Sequence, residues 1–193
     1  MSRKRLFGLI ALPLLIVALS GCILTLGAPL ARKVEPDSWV LEGGAGMSSF
    51  GTPGPSGYFY LGRSLGPYFE LGILPYAYMF GDGLSFAVNV PLRWDPFPHE
   101  WPFHLIPFAG PTAYGGTTNG AGLTTGAAAS WQPLPWLELA ATASTLVPYV
   151  QFFTVSGGAR ISMGDWRVGA HAMYTVPGLI AAMVSAGIVL GEH

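Results

Sequence analysis

From Ser38 onward the chain is written in short segments of alternating character, each closed by turn residues, and that pattern leaves few folds open. The segments fall at about 38–48, 57–64, 67–79, 84–94, 103–114, 120–131, 135–146, 150–163, 165–175 and 179–190. The breaks between them carry turn chemistry: GTPGPSG, SLGP, GDG, DPFPHEW, GGTTNG, QPLP, LVP, MGD and VPG. The count is ten, or eight if the Gly-rich first segments or the pair around Pro148 are merged. Composition enters here: 27 Gly and 17 Pro break helices, while 51% hydrophobic and only 10% charged residues are unlike a soluble domain. No apolar run after the N-terminal segment reaches the roughly 18 residues of a spanning helix, and Gly178 to Leu190 is too short. Strands of roughly 9–12 residues suit a tilted crossing of a bilayer instead.

The two parities of each segment differ. In 84–94, Leu84, Phe86, Val88, Val90, Leu92 and Trp94 oppose Ser85, Ala87, Asn89, Pro91 and Arg93. In 166–175, Trp166, Val168, Ala170, Ala172 and Tyr174 oppose Arg167, Gly169, His171, Met173 and Thr175. One face is apolar, and the other is small, polar or charged. A soluble barrel would place its large apolar residues inside, so the pattern predicts a membrane barrel with lipid outside and a polar lumen. The second face collects Glu42, Glu70, Arg93, Glu138, Arg160 and Arg167. Three acids and three arginines nearly cancel and read as an interior salt-bridge network, because paired charges offset one another's desolvation. The functional alternative is a polar pore lining or a binding site, with interior Gly, Ala and Ser leaving room for water. In 103–114, where His104 shares parity with Ile106 and Phe108, the pattern assigns no face.

Threading ten strands up and down puts all six tryptophans at the end where the first strand begins. Trp39 opens strand one, Trp94 and Trp101 flank the fourth turn, Trp131 and Trp136 flank the sixth, and Trp166 opens strand nine. Indole rings favour the membrane–water interface, so the six read as an aromatic belt. Phe50, Tyr58, Tyr78, Phe80, Tyr114, Tyr149, Phe152 and Tyr174 fall towards the other end.

The N-terminus reads as a targeting segment: Arg3, Lys4 and Arg5, then an apolar stretch from Leu6 to Ala18, then Leu19-Ser20-Gly21-Cys22. This resembles a bacterial lipoprotein signal, the tetrapeptide matching the lipobox at each position. The resemblance implies a signal helix removed before Cys22, and lipid on the Cys22 sulfur and new amino group. Cys22 is the only cysteine, so no intramolecular disulfide forms. Ile23 follows it, and absence of Asp there favours outer-membrane sorting. The expected organisation is signal peptide 1–21, lipidated tether 22–37 and barrel 38–193. Three of the nine Lys and Arg lie in 1–21, leaving six against ten Asp and Glu. Nucleic acid is therefore an unsuitable partner, Arg32-Lys33 being the one basic pair left.

Phrases such as LGRSLGPYFELG and GGARISMGDWRVGAHAMY, in strand–short turn–strand units, resemble the small outer-membrane β-barrel proteins of Gram-negative bacteria. The resemblance covers about 38–190 and implies an all-β, antiparallel up-and-down transmembrane barrel in the outer membrane. Outer-membrane lipid is the implied partner, with envelope proteins as further candidates; oligomeric state is not legible. Those barrels usually end on an aromatic residue, whereas this chain ends Leu190-Gly191-Glu192-His193.

No catalytic constellation stands out along the chain. Barrel lipid-A deacylases and phospholipases carry His-x-Ser or Asn-His-Ser, but His171 precedes Ala172-Met173-Tyr174 and His104 precedes Leu105-Ile106-Pro107. Metal-ligand spacing and a phosphate-binding Gly loop are absent from the sequence, so no cofactor is expected beyond the lipid on Cys22. The reading is a non-enzymatic, lipid-anchored barrel acting as a structural or interaction protein or a narrow pore. The alternatives are a lipid-modifying barrel enzyme using His171 or His104, and a soluble lipocalin-like lipoprotein with an apolar ligand inside.

Overall fold

A computed structural model describes residues 32–50, 52–80, 83–116, 119–149, 153–176 and 178–191. The strands are β1 (Ser38–Phe50), β2 (Thr52–Ser64), β3 (Phe69–Phe80), β4 (Gly83–Asn89), β5 (Leu92–Trp94), β6 (Phe103–Gly115), β7 (Gly120–Leu134), β8 (Leu137–Val147), β9 (Phe153–Met163), β10 (Trp166–Thr175) and β11 (Leu179–Gly191). Neighbours in the sheet pair antiparallel, and β1 pairs with β11 from Ser38↔Gly191 to Ser49↔Ile180. That last pairing closes the sheet into a barrel.

Strands β4 and β5 form one crossing. Both pair with β3 and with β6, and Pro91 falls in the gap between them. Backbone bonds Gly72 N–H to the Pro91 carbonyl (2.9 Å) and Val90 N–H to the Pro111 carbonyl (3.0 Å) carry the ladder across that gap. The barrel therefore has ten strands, the count the segment pattern yields. No helix of the described residues is long and apolar enough to cross a membrane.

One expected turn is strand. GTPGPSG carries two prolines and three glycines, yet β2 starts at Thr52 and pairs with β1 through Pro53↔Ser49 and Pro55↔Met47. The pairing of β2 with β3 begins only at Ser56↔Tyr78, so both prolines stand where β2 has a single neighbour. A strand with one free side tolerates an absent N–H there.

Faces follow the two-residue period. Leu84, Phe86, Leu92, Phe103, Leu105, Ile161, Val168, Ile180 and Val184 stand exposed on the outer wall, while Glu42, Glu70, Arg93, Glu138 and Arg160 are buried inside. Strand β6, to which the pattern assigns no face, turns His104, Ile106 and Phe108 inward.

Several interior glycines stand against aromatic rings. They make slots for neighbouring rings. A Cβ on Gly44 would lie 2.2 Å from the Tyr58 ring, one on Gly72 2.4 Å from the Tyr60 hydroxyl, and one on Gly126 2.8 Å from Phe108. Glycine is needed where another group comes this close. Tyr58, Tyr60, Leu74, Tyr76, Tyr78, Phe108, Met173 and Met183 then fill the core. Tyr58 and Tyr78, which fall towards the end far from Ser38 by position, lie in this core rather than on the outer surface.

Candidate functional site: the lumen charge network and its N-terminal insert

The interior ionic residues form two clusters. In the first, Arg93 on β5 donates to Glu70 on β3 at 2.7 Å, the two being cross-strand partners, and Tyr60 on β2 donates to the same carboxylate. In the second, Arg160 on β9 lies 3.4 Å from Glu42 on β1 and 3.7 Å from Glu138 on β8. Tyr58 donates to Glu42 and Ser130 donates to Glu138. All five ionic residues are at most 5% exposed, so their charges meet protein groups instead of bulk water.

A further cation of the first cluster comes from outside the barrel wall. Arg32, expected in the tether, is fully buried and donates to Glu70. Arg93 donates to the Arg32 carbonyl, the Val34 N–H donates to Asp95 Oδ2 at 3.1 Å, and the Ser38 N–H donates to the Ser64 hydroxyl at 2.7 Å. The Arg32 guanidinium also lies 5.7 Å from the Tyr60 ring centroid. Within the expected tether 22–37, residues 32–35 thus belong to the barrel interior, while 22–31 lie outside the described residues. A segment without a sustained period, holding Pro29 and Pro36, reads as a linker; only the facing carboxylates turn residues 32–35 into an insert.

Arg167 stands apart from both clusters. Its Nη2 meets Glu35 Oε1 at 2.8 Å, so its partner is on the N-terminal segment and not on the wall. Burial alone would raise the Glu35 carboxyl's pKa, but the Arg167 charge, aided by Lys33, holds it below the usual carboxylate range. Sequence reasoning missed Arg32, Glu35 and Asp95 as members of the network. Only once Asp95 is counted do the charge signs give a signal: Glu42, Glu70, Asp95 and Glu138 then face Arg93, Arg160 and Arg167, leaving room for one more cation.

The two candidate histidines are engaged or enclosed. His104 Nδ1 lies 2.9 Å from Asp95 Oδ2 and its Nε2 lies 2.9 Å from the Trp101 carbonyl. His171 packs against Tyr58 at 5.6 Å between ring centroids. Beside it, Ser156, Gly158 and Arg160 border a cavity of about 10 Å³, room for about one water. Among the described residues no group of three His, Cys, Asp or Glu converges as metal ligands. Cys22 lies outside the described residues.

All six tryptophans stand at the end where β1 begins, each exposed on the outer surface or in a turn. Trp94 stacks on Phe69 at 6.4 Å, Arg63 sits 5.2 Å from the Trp39 ring, and Trp131 lies beside Leu139 and Phe103 in register. Exposed rings at the opposite end include Phe153 and Tyr174.

No family model and no curated protein matches the chain in sequence. Solved structures of similar shape are barrels. Neisserial surface protein A is 13% identical, covering 81% of this chain and 97% of its own, with a TM-score of 0.40. The N-terminal β-barrel domain of Pseudomonas aeruginosa OprF is 12% identical, covering 80% and 98%, with a TM-score of 0.39. The translocator domain of the autotransporter NalP from Neisseria meningitidis is 11% identical, covering 84% and 91%, with a TM-score of 0.46. Likeness at this distance carries no argument about what the chain does.

Proposed function

We propose that this protein is a lipid-anchored outer-membrane β-barrel with a sealed lumen, acting as a structural or interaction protein without catalysis. The observation that carries this reading is the inversion of the barrel. Large apolar side chains ring the outside, and buried ion pairs sit within. Water would penalise such an outer surface, whereas hydrocarbon accepts it and requires a closed sheet. The tryptophans at one rim suit an interfacial belt. Lipid attachment rests on Leu19-Ser20-Gly21-Cys22.

Between conduction and a sealed barrel, burial favours the second. Arg32, Glu70, Arg93 and His104 have no surface within reach of a water-sized sphere, so an open aqueous path does not run past them. A lipid-modifying role is disfavoured because both candidate histidines face the interior, away from the lipid-facing wall. The reading also disfavours a soluble carrier, since the interior is filled by the chain's own rings.

The test combines fractionation with gel mobility. The wild type is expected in the outer-membrane fraction, migrating faster unheated than boiled, and showing no unitary conductance in planar bilayers. Cys22→Ser is expected to lose lipid labelling and still remain in the membrane. Complete release of Cys22→Ser into the soluble fraction would sink the barrel reading, and regular conductance steps would sink the sealed lumen.

A further inference from the structure

The N-terminal segment occupies the lumen as a bound peptide does. Residues 32–35 form no strand, yet their side chains and backbone are met by groups from separate wall elements. Glu70 on β3 accepts from the Arg32 guanidinium, and the Tyr60 ring on β2 flanks that cation. Arg93 on β5 donates to the Arg32 carbonyl, and Asp95, beyond β5, accepts from the Val34 N–H. Tyr60 and Arg93 also fix the Glu70 carboxylate from its other oxygen. This is a preorganised receptor for a guanidinium and for the main chain that bears it.

Charge points the same way. Without the insert, the wall sets Glu42, Glu70, Asp95 and Glu138 against Arg93, Arg160 and Arg167, one cation short of balance, with His104 beside Asp95. A planar, permanently charged group suits this site: Arg32 Nη2 donates to Glu70, Nη1 turns back to the Lys33 carbonyl of the insert, and the plane lies beside the Tyr60 ring; a lysine ammonium lacks that plane.

We propose that this end of the lumen is a binding site for an arginine side chain on an extended peptide, which residues 32–35 occupy as a tethered ligand. Vacating the site leaves a receptor that accepts the same chemistry from a separate molecule, such as the arginine-bearing segment of an envelope partner. The conformational cost of ordering a ligand is reduced here by the covalent link, as for any intramolecular binding event.

The test uses full-length Arg32→Ala refolded in detergent micelles, with arginine amide and lysine amide as probes. Unfolding is followed by loss of the fast-migrating band. Arg32→Ala is expected to unfold at a lower temperature than wild type. Arginine amide is expected to raise that midpoint in step with the logarithm of its concentration, while leaving wild type unmoved. Lysine amide should do far less, and Arg32→Ala/Glu70→Gln should not respond. If Arg32→Ala alone does not refold, its refolding yield in arginine amide against lysine amide reads the same property. A folded Arg32→Ala that ignores arginine amide overturns the site. So does an equal effect of lysine amide, a response that survives Glu70→Gln, or a refolding yield that neither probe restores.

Discussion

Arg32 and Glu70 lie 38 positions apart and meet inside the barrel with no exposed surface on either side chain. One precedes the first strand and the other lies at the start of β3, so their contact ties the N-terminal segment to the wall. Removing one member of a buried pair typically destabilises by about 3–5 kcal/mol, because the other charge is stranded. Glu70→Gln strands two cations, Arg32 and Arg93, and should lower stability more than Arg32→Ala, which leaves Glu70 still paired with Arg93. Urea unfolding in micelles, followed by tryptophan fluorescence, checks the order; equal losses would contradict it.

Gly72 and Gly62 hold the Tyr60 ring between them. A Cβ on Gly72 would fall 2.4 Å from the Tyr60 hydroxyl oxygen, and one on Gly62 would fall 2.7 Å from Glu70 Oε1 and 2.8 Å from the Tyr60 ring. Gly72→Ala should displace the ring and weaken its hydrogen bond to Glu70, at roughly 1–3 kcal/mol for overpacking. The same change in a Tyr60→Leu background should cost far less, since the ring it collides with is gone. A double-mutant cycle on unfolding midpoints measures the coupling.

The Glu35 carboxyl, held down by Arg167, gives a pH dependence with a definite sign. A carboxylate whose pKa is lowered in the folded state stabilises the fold above its unfolded value, and loses that contribution as pH falls through the folded value. The window therefore lies below about pH 4. Glu35→Gln should be less stable than wild type at neutral pH, and the two should converge as pH is lowered through that window. Unfolding midpoints between neutral and acid pH test this; a gap that widens on acidification would refute the pair.

If the tryptophan rim lies at one interface, all six rings share one depth. Lipids brominated near the headgroup should quench their fluorescence more strongly than lipids brominated at the chain end. Replacing Trp131 and Trp136 together by Phe should lower total emission without changing that ratio. Strong quenching by chain-end bromine would place the rim in the hydrocarbon and overturn the belt.

Much of the architecture is legible in the sequence. Alternation in 84–94 and 166–175 separates the same residues that the barrel turns outward and inward, because the period of a strand is a local property of the backbone. The strand count follows from turn residues, with GTPGPSG the exception: its prolines read as a break, and only the absence of a second neighbour makes them tolerable in β2. The polar lumen face is legible as a set, yet its pairings are not. Arg167 looks like a wall cation in need of a wall acid, but β10 brings it to Glu35. Asp95 follows Trp94 in a proline-rich turn and gives no sign that it will reach Val34 and His104.

By itself the sequence determined the two-residue period, most of the turn positions, the six tryptophans at one rim and a set of interior charges of both signs that nearly cancel. These depend on neighbours within a strand or on simple threading. The tertiary structure decided that tyrosine and methionine side chains pack in the interior, that Gly44, Gly62 and Gly72 are slots for tyrosine rings, and that Arg32 is an interior residue. Those outcomes depend on which strands lie side by side and at what register, including pairings between strands far apart in sequence such as β1 with β11.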